Sequence, residues 1–227
     1  MTAHPLDRPV WSALTTRQAA LAEGDARAWR LADDYGVFIA AADGSAECQA
    51  AMVALIAPGA ERWTVEAERL PAPPGTRIVK QALCHQMIAA ALTQGERPGF
   101  DIVPLGEADA PEMFTLARLT EPGPYNRGTH RLGDFVGVKL NGRLVAMAGE
   151  RMRPEGFTEV SGVCTHPDHR GRGYAGALMR CVTEAILARG ETPFLHSYAS
   201  NSGAIALYES LGFAFRAEIW ATVLARD

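Results

Sequence analysis

The 227-residue chain has little of what would make several function classes easy to assign. Its four cysteines, Cys48, Cys84, Cys164 and Cys181, include no CxxC pair, so the sequence indicates neither a zinc ribbon nor a disulfide framework. Cys48 and Cys84 lie beside alanine and leucine and read as small buried hydrophobes. There is no excess of positive charge. The 22 basic and 26 acidic residues give a net charge of −4, which argues against a general nucleic-acid binder. No apolar run approaches the ~20 residues needed to span a bilayer. The opening MTAHPLDRPVW lacks the basic-then-apolar pattern of a secretory signal. His166 and His169 have H-x-x-H spacing without a further ligand cluster, so no metal is expected. These absences favour a cytoplasmic protein with neither a membrane nor a nucleic-acid partner.

What is present is an ordinary globular composition, 48% hydrophobic and 21% charged. The first hundred residues are alanine-rich and carry no evident motif. Residues 11–30 read as a helix, 35–41 as a buried strand, 45–56 as a helix and 63–70 as an alternating strand. A proline-rich breaker at 71–75 precedes an apolar stretch through Ala91, and 94–99 is the best linker. The expected organisation is therefore a smaller N-terminal α/β domain at 1–98 and a second domain at 99–227. The second half is more legible. A strand at 101–105 and a helix at 107–119 lead to a stiff Pro-rich loop. Asn141-Gly142 then joins strands at 135–140 and 143–151 in a tight type I′ turn, because both turn positions need positive φ. A strand at 157–165, a polar loop and a helix from about Tyr174 follow. Leu178, Val182, Ala185 and Ile186 share one face of that helix, with Gly190 just past its end. A strand at 194–198, a helix at 202–211 and a strand at 213–224 complete an α/β fold with a mixed sheet.

The informative unit is the strand TEVSGVCT at 158–165 running into HPDHRGRGYAG at 166–176. Gly171 and Gly173 let the chain curl so that successive N–H groups face one concavity, and the helix that follows adds its unpaired N–H groups and positive dipole end. A pyrophosphate could be held there by backbone, with Arg170 or Arg172 adding charge. Walker A fails, since no Gly-Lys-Ser/Thr follows. Gly171, Gly173 and Gly176 do match G-x-G-x-x-G. However, His166 to Arg170 separate the glycines from their strand, and Glu191 precedes the next apolar run instead of ending it, so the match to a dinucleotide fold fails in context.

The sequence here resembles the GNAT superfamily of N-acetyltransferases, in its FR47-like branch. The superfamily motif Gln/Arg-x-x-Gly-x-Gly/Ala is matched by Arg170-Gly-Arg-Gly173-Tyr-Ala175. A second signature follows at Asn201-Ser-Gly-Ala-Ile-Ala-Leu-Tyr208-Glu-Ser-Leu-Gly-Phe213. The resemblance covers about residues 100–227 and implies a mostly antiparallel mixed sheet flanked by helices. The segment before it offers helix, strand, helix and strand without a glycine loop, a pattern compatible with a degenerate second copy. The resemblance further implies that Val163, Cys164 and Thr165 pair with the pantetheine arm of CoA. Arg170, Gly171, Arg172, Gly173, Tyr174, Ala175 and Gly176 would form the pyrophosphate loop, Asn201 would hold the cofactor arm, and Tyr208 would be the general acid near the thioester sulfur. The implied reaction is acetyl transfer from acetyl-CoA to a primary amine by direct attack. The implied acceptor is a small-molecule or peptide amine, and a homodimer is compatible with the resemblance.

Such a reaction needs a neutral amine, a stabilised oxyanion and a proton for the departing thiolate. Tyr208 is protonated at pH 7 and suits the last task, and a backbone N–H near Cys164 suits the second. For the base, Glu159 lies eleven positions before Arg170, the offset of the catalytic glutamate in the superfamily's histone acetyltransferases, and Glu150 on the preceding strand competes with it. An acyl-cysteine route through Cys164 lacks a dedicated His–Asp pair. Tyr125, Asn126 and Arg127 are candidate acceptor contacts by position. A CoA-binding module without catalysis is the competing function.

Overall fold

The computed structural model describes residues 4–95 and 98–227. In chain order its helices are α1 (Pro9–Leu14), α2 (Ala46–Ala54), α3 (Ala110–Thr120), α4 (Tyr174–Ala188) and α5 (Ser202–Leu211). The strands are β1 (Ala22–Asp25), β2 (Ala28–Leu31), β3 (Ile39–Ala41), β4 (Glu61–Glu66), β5 (Thr76–Ile88), β6 (Val103–Leu105), β7 (Phe135–Leu140), β8 (Arg143–Glu150), β9 (Phe157–Thr165), β10 (Thr192–Tyr198) and β11 (Ala214–Arg226). Strands β1–β3 form a small antiparallel sheet, and the other eight form one sheet in the order β4-β11-β5-β10-β9-β8-β7-β6. Only β9 and β10 run parallel within it. Among the described residues no helix is long and apolar enough to cross a membrane.

The sheet order corrects the expected division at 98/99. Strand β5 comes from the N-terminal segment, yet it lies between β10 and β11 and pairs with both. Its register with β11 runs from Thr76↔Arg226 to Ile88↔Ala214. Strands β4 and β5 of the first hundred residues therefore belong to the main sheet, so that segment is not a self-contained domain. Two other expectations fail nearby. The helix expected at 11–30 is only α1, followed by a β1–β2 hairpin that an Asp25 Oδ1 to Arg27 N–H bond of 2.9 Å helps to close. The strand expected at 63–70 ends at Glu66.

From β7 onward the sequence and structure agree closely. Asn141 and Gly142 have φ of 50° and 80°, as the type I′ turn requires. Helix α4 packs Tyr174, Leu178, Met179, Val182 and Ile186 against the sheet, whereas Ala185 is exposed, so the buried face is rotated toward Met179 and Thr183. Gly176 costs this helix up to about 1 kcal/mol, but wholly buried Leu178, Met179 and Ile186 contribute roughly 2 kcal/mol each. Packing decides its stability.

One irregularity opens the sheet. Between Met147↔Cys164 and Gly149↔Ser161 the β8–β9 register shifts, and Gly162 there has φ of 64°. A Cβ at Gly162 would lie 3.1 Å from the Phe135 ring, so both backbone shape and neighbour favour glycine. The parallel pairing with β10 has already ended where this bulge begins. β9 and β10 pair only from Thr192↔Phe157 to Phe194↔Glu159, and their C-terminal ends leave Val163 on one side of a wedge and Asn201 on the other.

Candidate active site

The wedge and the loop before α4 form a cleft of about 620 Å³. All eleven residues expected at a cofactor site line it: Val163, Cys164, Thr165, Arg170, Gly171, Arg172, Gly173, Tyr174, Ala175, Gly176 and Asn201. Gly171 and Gly173 have φ of 75° and 78°, and a Cβ on either would meet nothing within 4 Å, so the concavity is open above them. Gly173 caps α4 in the left-handed region, directing the first N–H groups of the helix into the concavity. Arg170 and Arg172 are exposed and have no ion-pair partner among the described residues. Nearby His169 keeps Nδ1 buried without a hydrogen-bond partner. Free N–H groups, two uncommitted cations and an orphaned ring nitrogen suit a polyanion. Asn201 caps α5, its side chain accepting from Ala204 N–H at 3.2 Å. Thr120, His169, Gly203, Ala204 and Leu207 also line this cleft; His169 belongs to the H-x-x-H loop and the last three to the second signature, whereas Thr120 carried no signal of its own in the sequence.

A second cleft of about 320 Å³ shares Val163 and Asn201 with the first. Tyr208 lies here, half-buried, and burial raises its hydroxyl pKa above the usual value. The N-terminal segment contributes Phe38, Trp63, Val65 and Cys84, the loop after α3 contributes residues 121–124, and Arg151, His196 and Tyr198 add polar groups. The expected acceptor contacts Tyr125, Asn126 and Arg127 do not line it. Tyr125 packs on Phe135, Asn126 bonds to Asp33 O, and Arg127 lies over Phe114.

Glu159 is not available as the expected base. It is fully buried. Its Oε1 accepts from Arg151 at 2.8 Å and from His196 Nδ1 at 2.8 Å, and its Oε2 accepts from Arg151 Nε at 2.9 Å and Met152 N–H at 3.3 Å. Burial pushes its pKa up, but the Arg151 guanidinium and His196 outweigh that and hold it at about 2. A carboxylate with every lone pair engaged, and so weakly basic, is a structural anion. His196 is fixed in turn. Gln86 Nε2 lies 3.0 Å from its Nε2, while Gln86 Oε1 accepts from Arg216 at 2.7 Å and Arg216 reaches Asp7. Glu150 points elsewhere, toward Arg189 at 2.6 Å. Burial raises the Cys164 thiol to about 11, so it is no ready nucleophile. His196, which follows the apolar pair Phe194-Leu195 in β10, was the available sequence signal for this network.

The chain aligns over 99% of its length with the whole of a protein from Novosphingobium aromaticivorans DSM 12444 described as a GNAT-family acetyltransferase. The two are 52% identical, with a TM-score of 0.90. This chain belongs to the GNAT family. Residues 135–221 match the FR47-like protein family, which spans the hairpin, bulge, loop and second signature. The [ribosomal protein bS18]-alanine N-acetyltransferase of Escherichia coli K12 is 29% identical over 115 residues, 48% of this chain and 77% of that one. A GCN5-related N-acetyltransferase from Kribbella flavida shares the fold at 20% identity, with a TM-score of 0.65 over 99% of this chain and 96% of that one. The GNAT chain described here is accordingly an enzyme, an N-acetyltransferase that transfers acetyl to an amine.

Proposed function

We propose that the acetyl donor is acetyl-CoA, bound with its pyrophosphate over residues 171–176 and its pantetheine arm along Val163, Cys164 and Thr165. The observation carrying this reading is the wedge between β9 and β10, which joins the phosphate-suited concavity to the cleft holding Tyr208. A pantetheine arm laid in that wedge would find strand N–H and C=O groups that β10 no longer pairs. Asn201, at the junction of the clefts, would contact the arm. The amine approaches through the second cleft and attacks the thioester carbonyl. A backbone N–H of β9 near Cys164 stabilises the oxyanion. As the C–S bond breaks, the thiolate takes the Tyr208 proton, which burial keeps on that hydroxyl at neutral pH.

The acceptor is a primary amine, either a small molecule or the end of a peptide. The likeness to the bS18-alanine enzyme favours testing peptide N-termini, while a cleft of about 320 Å³ falls at the lower end of small-molecule sites. Four free cysteines support a cytoplasmic setting. Calorimetric titration with acetyl-CoA, with NAD as comparison, tests the donor. Tyr208→Phe tests the acid: acetyl-CoA affinity should persist while kcat falls by about 10²-fold or more. An unchanged kcat would remove Tyr208 from the mechanism, and no acetyl-CoA binding would remove the donor.

A further inference from the structure

With Glu159 and His196 tied into a buried network, the amine still needs a group to take its proton. The titratable and charged groups facing the second cleft are Cys84 from β5, Glu121 after α3, Arg151 after β8, His196 and Tyr198 from β10, and Tyr208 from α5. Burial holds the Cys84 thiol at about 11, which leaves it protonated. Arg151 is a cation, and the tyrosines are protonated at neutral pH. Glu121 alone offers a carboxylate with no ion pair and no side-chain hydrogen bond among the described residues, and it is exposed to the cleft.

Its backbone supplies a second, independent observation. Glu121 has φ of 49° and ψ of 57°, closing α3 through its N–H to Ala117 O at 2.8 Å. Glycine or asparagine is the usual residue at such a helix end. Pro122 follows, and a residue before proline favours extended backbone. Asn141, the other non-glycine residue with positive φ among those described, is explained by its hairpin turn. Glu121 meets no such local preference, and a strained residue inside a cleft points toward use of its side chain.

We infer that Glu121 receives the acceptor's ammonium group and takes its proton, directly or through one water. This inference rests on the acetyl-CoA reading above. The ammonium gives one proton to the Glu121 carboxylate, and its nitrogen lone pair forms the C–N bond. The C–S bond then breaks, Tyr208 protonates the sulfur, and the nitrogen's second departing proton returns to the Tyr208 phenolate. Glu121 releases its proton to solvent, so one proton is lost per turnover. The site therefore selects a cationic amine whose apolar body rests on Phe38, Trp63 and Val65.

The test compares the parent enzyme with Glu121→Gln and Glu121→Gly. The acceptors are phenethylamine, tryptamine, an alanine-initiated hexapeptide and the weakly basic benzhydrazide, with CoA thiol release as the readout. Both variants should bind acetyl-CoA within about twofold of the parent, and Glu121→Gly should melt no lower than the parent. Both should lose about 10²-fold in kcat with the ammonium acceptors. The loss should shrink toward parity with benzhydrazide, whose nitrogen is already neutral. Parental turnover by Glu121→Gly would make the residue only a helix cap and overturn the inference. An equal loss with amines and hydrazide would overturn proton removal. Acetyl-CoA binding without turnover of any acceptor by the parent would instead count against the proposed function of the site.

Discussion

At the scale of single residues, the centre of the molecule is a row of committed charges. Arg151 forks onto Glu159 with both groups nearly or wholly removed from solvent, side-chain exposures being 12% and 0%. Such a pair contributes little net stability compared with apolar packing, yet losing one member leaves the other charge stranded. Glu159→Gln should therefore lower the unfolding free energy by about 3 kcal/mol, measured by urea titration at pH 7. The same pair sets an acid limit. The Glu159 pKa is depressed in the folded state from 4.5 to about 2, so its stabilisation is complete above 4.5 and fades as pH falls through about 2. That window represents on the order of 3 kcal/mol. Urea midpoints followed between pH 5 and 2 should fall more steeply in the parent than in Glu159→Gln, and parallel curves would deny the pair this role.

At the scale of elements, function depends on a strand that bends and a helix that starts in the right place. Replacing Gly173 with alanine puts a side chain at φ of 78°, a conformation that costs roughly 1–2 kcal/mol. If the loop yields to that cost, the N–H groups cease to converge, and acetyl-CoA affinity should drop about tenfold or more by calorimetry while the melting temperature changes little. An unaltered affinity would locate the phosphates elsewhere. Elements of this kind were legible in the sequence because their information is local. Asn141-Gly142 fixed one hairpin, and the glycines with Arg170 marked the start of α4. Alanine-rich stretches carry no such signal, since alanine suits both a helix and the packed face of β2. The β1–β2 hairpin was accordingly misread as helix, and Ala185 was placed on the wrong face of α4. The second cleft was illegible for another reason. Phe38, Trp63, Glu121, Arg151 and His196 are brought together from five separate segments, and no spacing along the chain encodes that meeting.

At the scale of the whole molecule, the interleaved sheet makes the two halves one folding unit. Without β4 and β5, the fragment 99–227 would expose residues 194–198 of β10 and both edges of β11. Expressed alone, it should be insoluble or lack near-ultraviolet dichroism, and co-expression with residues 1–98 should restore a compact species by gel filtration. An independently folded 99–227 fragment that binds acetyl-CoA would contradict this. The same arrangement lets the N-terminal half wall the acceptor cleft with Phe38, Trp63, Val65 and Cys84, so selectivity for the amine and stability of the sheet are held by one segment.

The position of β5 also sets a schedule for biosynthesis. Roughly 100 residues separate the end of β5 from the start of β10, and β11 follows later still. At ~5–20 residues per second, a ribosome needs about 5–20 s to deliver the first partner strand. Throughout that interval the 13-residue β5, which includes Met87 and Cys84, waits on the nascent chain with both edges open. Newly made chains in a crowded cell would meet one another in that state, which makes chaperone supply and translation rate, more than the strength of the finished core, the determinants of how much enzyme accumulates.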